Sequence, residues 1–231
     1  MKIIACLSVL LLLTSCAKSS KVEIKEEEMK EKYAALMASV SNFGSAFDDI
    51  RANQNQGFTY EYRYKKDEFY SFRDVALVII VPINIQDFTW KENDKYYHCE
   101  IRLSDDRTYK KEITQEQYVS YMDKHRQSMK DLLMNPVEIG NERINNQDKF
   151  KSVLNKCYYD KSIKQYRFES QATIAGEEGQ EDKTSVFIMW FDENRPYSYA
   201  ETISGESGST TWNFTYDATQ FEQPSDPRID G

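Results

Sequence analysis

Phe58, Tyr60, Tyr62 and Tyr64 alternate with Thr59, Glu61 and Arg63. A period of two sends every ring to one side of an extended chain and every polar group to the other. Such a segment is stable only as a strand with one covered and one wet face. The pattern returns through Tyr166, Phe168, Ser170, Ala172 and Ile174, and again through Trp212, Phe214 and Tyr216. The chain holds 16 Tyr, 12 Phe and 3 Trp but only 8 Gly, so rings rather than glycine turns dominate it. Tyrosine pairs a large apolar body with a polar tip and favours half-buried strands. These features predict an antiparallel sheet with rings on one face. They are its core, or they line a groove for an apolar ligand.

Two helices are expected around this sheet. Met29, Tyr33, Leu36, Met37, Val40, Phe43, Phe47 and Ile50 recur at three- and four-residue steps, which predicts a helix over 26–51. Glu26, Glu27 and Glu28 fall in its first turn, where negative charge suits the helix dipole. A second helix is expected over 115–134. Thr114-Gln-Glu-Gln117 has the capping-box pattern, and Asn135-Pro136 should end the helix. Residues 57–64, 75–85, 87–90 and 95–103 read as strands, with a turn at Asn93-Asp94. The stretch 150–159 reads as a strand or a short helix. Residues 163–174 form another strand. Three more, 184–191, 197–204 and 209–216, are separated by the turns at Asp192 to Pro196 and Gly205 to Gly208, as in a meander.

The first residues carry a separate message. A basic start is followed by an apolar run over 3–13, then Leu13-Thr14-Ser15-Cys16. The run is about 11 residues, too short for a spanning helix, which needs roughly 20. It fits an export signal. The last four residues resemble the lipobox of bacterial lipoproteins. That resemblance implies a thioether-linked lipid and palmitate on Cys16, with cleavage after Ser15. The chemistry needs a thiol, because a thiolate is nucleophilic enough to form the thioether. The expected organisation is a signal peptide over 1–15, an acylated cysteine and tether over 16–25, one domain over 26–222 and an extended tail over 223–231. The expected place is the bacterial cell envelope, with the domain tethered on the extracytoplasmic side of a membrane.

Charge narrows the function classes. There are 30 Lys and Arg against 38 Asp and Glu, a net −8, with no basic block. Nucleic-acid binding needs clustered cations and is not expected. Electrostatic capture by anionic lipid is not expected either, since the acyl group would hold the membrane. Metal sites lack a motif. Only His98 and His125 are present, neither in H-E-x-x-H nor beside a C-x-x-C, and each reads as a surface or satisfied core histidine. No cofactor is implied. Gly205-Glu-Ser-Gly-Ser209 lacks the final glycine of a nucleophile elbow and reads as a turn. Loss of the leader removes Cys6 and leaves Cys99 and Cys157 beside Cys16. In an oxidising exterior a Cys99–Cys157 disulfide is one outcome, and two reduced, buried thiols are the other.

The order of elements completes the reading. An acylated cysteine, a tether and an amphipathic helix come first. Strands, an inserted helix and a closing meander follow, the last strand Trp212-Asn-Phe-Thr-Tyr216 leading to Gln223-Pro224. This layout resembles the lipoprotein-sorting carrier (LolA-like) superfamily. Those proteins are half-open barrels whose helices fill the concave face. The resemblance implies an α+β fold in which a curved antiparallel sheet packs against an N-terminal helix and a second, inserted one. The expected function is non-enzymatic binding of lipid or another apolar ligand. Phe58, Tyr60, Tyr62, Tyr64, Trp212, Phe214 and Tyr216 are the candidate lining. A protein–protein interaction module with an unspecified partner is the other reading. A hydrolase using Cys99 or Cys157 is a distant third.

Overall fold

The computed structural model describes residues 20–43, 49–55, 58–65, 68–75, 83–102, 107–176, 180–205 and 209–216. The expected lipidation and cleavage residues Leu13, Thr14, Ser15 and Cys16 lie outside them, as does the expected tail.

The architecture is α+β. Twelve strands form one curved, unclosed antiparallel sheet. In chain order they are β1 (Lys21–Glu23), β2 (Asp49–Asn55), β3 (Phe58–Lys65), β4 (Glu68–Val75), β5 (Ile83–Glu92), β6 (Lys95–Arg102), β7 (Arg107–Ile113), β8 (Ser152–Asp160), β9 (Gln165–Ile174), β10 (Lys183–Phe191), β11 (Pro196–Ile203) and β12 (Ser209–Tyr216). Helix α1 (Glu26–Ser41) joins β1 to β2, and α2 (Gln115–Asn145) joins β7 to β8.

Two meanders, β2 to β7 and β8 to β12, are fused where β12 pairs with β2. Hairpin chemistry explains their tightness. Asn93 and Asp94 both take positive φ, 48° and 62°, as a two-residue turn of the twisted β5–β6 hairpin requires. At the β10–β11 turn, Asp192 Oδ1 accepts from the backbone N–H groups of Asn194 and Arg195 at 2.7 and 2.9 Å.

Helix α1 buries Met29, Tyr33, Leu36 and Val40, each worth about 1.5–3 kcal/mol of apolar burial. It ends at Ser41, ten residues before the expected limit of Arg51. Ile50 continues the helical spacing by coincidence. It lies in β2, where Ile50 and Ala52 are the inward residues of an alternating strand. The apolar signal of Asp-Ile-Arg-Ala-Asn-Gln-Asn is too weak to announce that strand.

Helix α2 begins as expected. Gln117 N donates to Thr114 Oγ1 at 3.2 Å, and Thr114 N donates to Gln117 Oε1 at 3.0 Å. It does not stop at Pro136, which is buried inside it. An interior proline costs about 3 kcal/mol. The turns beyond it bury Val137, Gly140, Arg143 and Ile144 against the sheet and α1, which outweighs that cost. At Gly140 the helices nearly touch. A Cβ there would sit 1.8 Å from the Tyr33 hydroxyl oxygen. Tyr33 cannot yield, because its ring is wedged edge-on against Phe168 and Phe191 at 5.3 and 5.0 Å. Gly140→Ala is therefore expected to cost about 2 kcal/mol by overpacking, read as a lowered urea midpoint. Gly140→Ala combined with Tyr33→Phe should recover part of it.

Two further expectations change. Part of the tether is structured: β1 pairs with β8, Lys21 opposite Asp160. Residues 75–85 are not one strand, because Val75 ends β4 and pairs with Ile83, which opens β5.

The main core lies between the concave face and both helices. A second, smaller cluster of Phe88, Trp90, Cys99 and Ile101 lies on the opposite face of β5 and β6. That division decides the cysteines. Cys157 sits in the first cluster and Cys99 in the second, and neither is in a disulfide. Of the two outcomes open for the cysteines, the pair of reduced, buried thiols is the one found, not the disulfide. Bridging needs Cα atoms within about 7 Å, and these cysteines face opposite sides of strands nine places apart in the sheet.

Candidate functional site

The two aromatic sets, read separately from sequence, share one face. Register places Phe214 opposite Ala52, which is opposite Tyr62, and Tyr216 opposite Ile50, which is opposite Tyr64. Partners across a ladder point the same way. Most of these rings are core: Tyr64 and Phe214 are buried with the helices. Tyr216 is half-buried, and its hydroxyl donates to the Pro196 carbonyl at 2.5 Å. Burial pushes the Tyr216 phenol well above its usual pKa. Phe58 and Tyr60 lie in β3, with side chains outside the described residues.

Trp212, a buried member of the same core, and the half-buried Tyr62 also face open space. Their ring centroids are 6.0 Å apart, and both border a cavity of about 300 Å³ between the sheet and α2. Phe69 of β4 and Asp87 of β5 complete the sheet side. The helix contributes Lys124, His125, Ser128, Met129 and Leu132. The spacing of 125, 128, 129 and 132 is that of one helix face. Lys124 and Ser128 are exposed at the rim, and His125 and Met129 are buried. The result is an apolar cleft with convergent polar groups.

The polar groups form a chain. Thr89 Oγ1 lies 3.2 Å from His98 Nδ1 and 3.4 Å from His125 Nε2. His98 Nδ1 is also 3.5 Å from Asp87 Oδ1. His98 stacks on Tyr121 at 4.2 Å, and His125 stacks on Phe69 at 3.5 Å. One proton arrangement satisfies the chain: His98 Nδ1–H faces Asp87 and Thr89, and the Thr89 hydroxyl donates to a neutral His125. Desolvation keeps His125 neutral, lowering its pKa to about 3, with His98 and Lys124 adding to the effect.

The sign of the linkage follows. The unfolded chain takes up a proton near the ordinary 6.5, and the folded chain refuses it down to about 3. The stabilisation is complete above pH 6.5 and is lost as pH falls through that window. Between pH 6.5 and 5, above the ordinary carboxylate range, the loss should approach about 2 kcal/mol. Urea midpoints across that interval should slope in the native chain and flatten in His125→Gln.

Thr89 is fully buried. The Cys157 thiol is pushed up to about 12 by burial, so it stays protonated and a poor nucleophile. Among the described residues, no group of three His, Cys, Asp or Glu could hold a metal ion. No described helix is long and apolar enough to cross a membrane.

Sequence reasoning named Tyr62 and Trp212 but missed Phe69, Asp87 and the helix residues of the cleft. The i, i+3, i+4 spacing of His125, Ser128 and Met129 was the available signal. It was hidden by the ragged apolar face of that helix.

No protein-family profile matches the chain, and no curated protein does. Among solved structures, the Helicobacter pylori beta clamp bound to a DNA ligase peptide aligns over 89% of this chain and 69% of its own, at 6% identity and a TM-score of 0.15. A DnaN sliding clamp from Bartonella birtlesii bound to griselimycin aligns over 90% of this chain and 67% of its own, at 7% identity and a TM-score of 0.16. Likeness at that level carries no argument about fold or function.

Proposed function

We propose that this chain is a lipid-anchored envelope protein that binds, without chemical conversion, a small apolar ligand bearing a polar head. The cleft between α2 and the sheet carries this reading. Tyr62, Phe69, Met129, Leu132 and Trp212 supply apolar surface, Asp87 supplies a polar group from the sheet, and His125 and Ser128 supply polar groups from the helix. Its volume of about 300 Å³ is at the lower end of ligand pockets, roughly 300–1,000 Å³. A compact amphiphile suits it better than a pair of acyl chains, because the helices already fill most of the concave face. The resemblance of the order of elements to lipoprotein-sorting carriers favours the same class of function.

Native mass spectrometry of the chain, released gently from membranes, tests the reading. A co-purifying small molecule is expected. Ser128 is exposed at the rim, so Ser128→Trp should block entry without disturbing the core. Ligand occupancy should fall at least about tenfold, the equivalent of ~1.4 kcal/mol. With ligand stripped from both, the thermal midpoints of variant and parent should coincide, and added ligand should raise only the parent's. A clean apo mass in both proteins would defeat the proposal.

A further inference from the structure

We infer that the β8–β9 hairpin tip and the adjoining outer face of the sheet form a docking surface for an anionic lipid headgroup layer. The inference rests on the anchor reading of Cys16. Ser20 is the first described residue, and its carbonyl accepts a hydrogen bond from Lys161 N at 2.9 Å. The entering chain is thus fastened to the hairpin tip. Cys16 precedes Ser20 by four residues, so a lipid on its sulfur lies no further away than about 14 Å of extended backbone. Whatever membrane holds that lipid meets this corner of the domain first.

The corner has the chemistry of an interface. Ile163 is 50% exposed at the tip. Lys161 and Lys164 flank Ile163, both exposed, and neither has an acidic partner among the described residues. Behind them Trp190 lies half-buried on the outer face, with Lys21 Nζ and the Arg167 guanidinium each 5.6 Å from its ring. An indole between two cations suits the headgroup level, where its ring is buried and phosphates meet the charges. The local acids are largely engaged. Asp160 accepts from Ser162 N and Oγ at 2.9 and 2.5 Å, and Glu169 pairs with Arg167 at 2.7 Å. Glu23 remains exposed. Lys21, Lys161, Lys164 and Arg167 outnumber Asp160, Glu169 and Glu23 four to three, so the patch carries a small positive excess on a chain whose net charge is −8. This reverses the expectation, drawn from overall charge, that anionic lipid plays no part.

The test uses the full chain purified from cells fed labelled palmitate and reconstituted into vesicles with brominated acyl chains. One set contains phosphatidylcholine alone, and the other is doped with phosphatidylglycerol. Subtracting the emission of Trp190→Phe isolates the quenching of Trp190. On doped vesicles that quenching should be at least about twofold stronger than on neutral ones, and should fade at about 1 M salt, where the Debye length is ~3 Å. Lys161→Glu with Lys164→Glu, at two exposed sites that leave the core alone, should remove the difference. A labelled chain whose Trp190 is quenched equally on both vesicles, or not at all, overturns the docking surface and leaves the anchor standing. A chain without label overturns the anchor and the docking surface together.

Discussion

Glu201→Ala should destabilise the domain by about 3 kcal/mol. Arg143 is 3% exposed. Its Nη2 donates to Glu201 Oε1 at 2.9 Å and to Ser185 Oγ at 2.7 Å, and Ser185 Oγ donates to the same carboxylate at 2.9 Å. The guanidinium lies 5.6 Å from the Phe187 ring and 5.9 Å from that of Phe150. Burial pulls the Arg143 pKa below the ordinary arginine value, and Glu201 opposes that pull. Removing the carboxylate leaves a buried cation with only a hydroxyl and a carbonyl to solvate it. Replacing both charged residues with methionine removes the charge altogether. The double variant should lie within about 1–2 kcal/mol of the parent, the residue being the Ser185 hydroxyl left unpaired. Urea denaturation of Arg143→Met, Glu201→Met and the double methionine variant supplies the cycle. If the double loses as much as the singles summed, the pair is not coupled and the account fails.

Cys16→Ser should move the protein from the membrane fraction to the soluble fraction and abolish palmitate incorporation. Each buried methylene is worth ~0.8 kcal/mol, so paired acyl chains hold a protein stably where a single chain is marginal. The hydroxyl of serine cannot replace the thiolate in thioether formation. The hairpin patch is weak beside such an anchor, so the substitution should release nearly all of the protein even if that patch touches lipid. Unchanged fractionation together with missing label would place the attachment elsewhere in the chain. Unchanged label would remove Cys16 from the argument.

The cleft shows why local reading stops short of a site. Tyr62 and Trp212 were both recognisable as inward rings of alternating strands. Only the pairing of β12 with β2 and of β2 with β3 sets them on one face. The connecting strand is the polar β2, whose two apolar residues were absorbed into a helical pattern. His125 read as a surface or a satisfied core histidine, and it is buried. Its stack on Phe69 and its link through Thr89 to His98 depend on where α2 crosses the sheet. No spacing in the chain encodes that crossing.

Local periodicity and turn chemistry by themselves determined where both helices begin, the strand class of β3, β6 and β9 to β12, the Thr114–Gln117 cap, the Asn93-Asp94 turn and the half-buried character of the aromatic strands. Each depends on residues within a few positions of one another, where backbone geometry and side-chain hydrogen bonds act directly. The tertiary structure alone decided that α2 runs through Pro136, that α1 stops at Ser41, that two meanders join at β12 and β2, and that Cys99 and Cys157 stay apart. In each case the energy of distant packing, several buried side chains at about 1.5–3 kcal/mol apiece, exceeds the local preference it overrides.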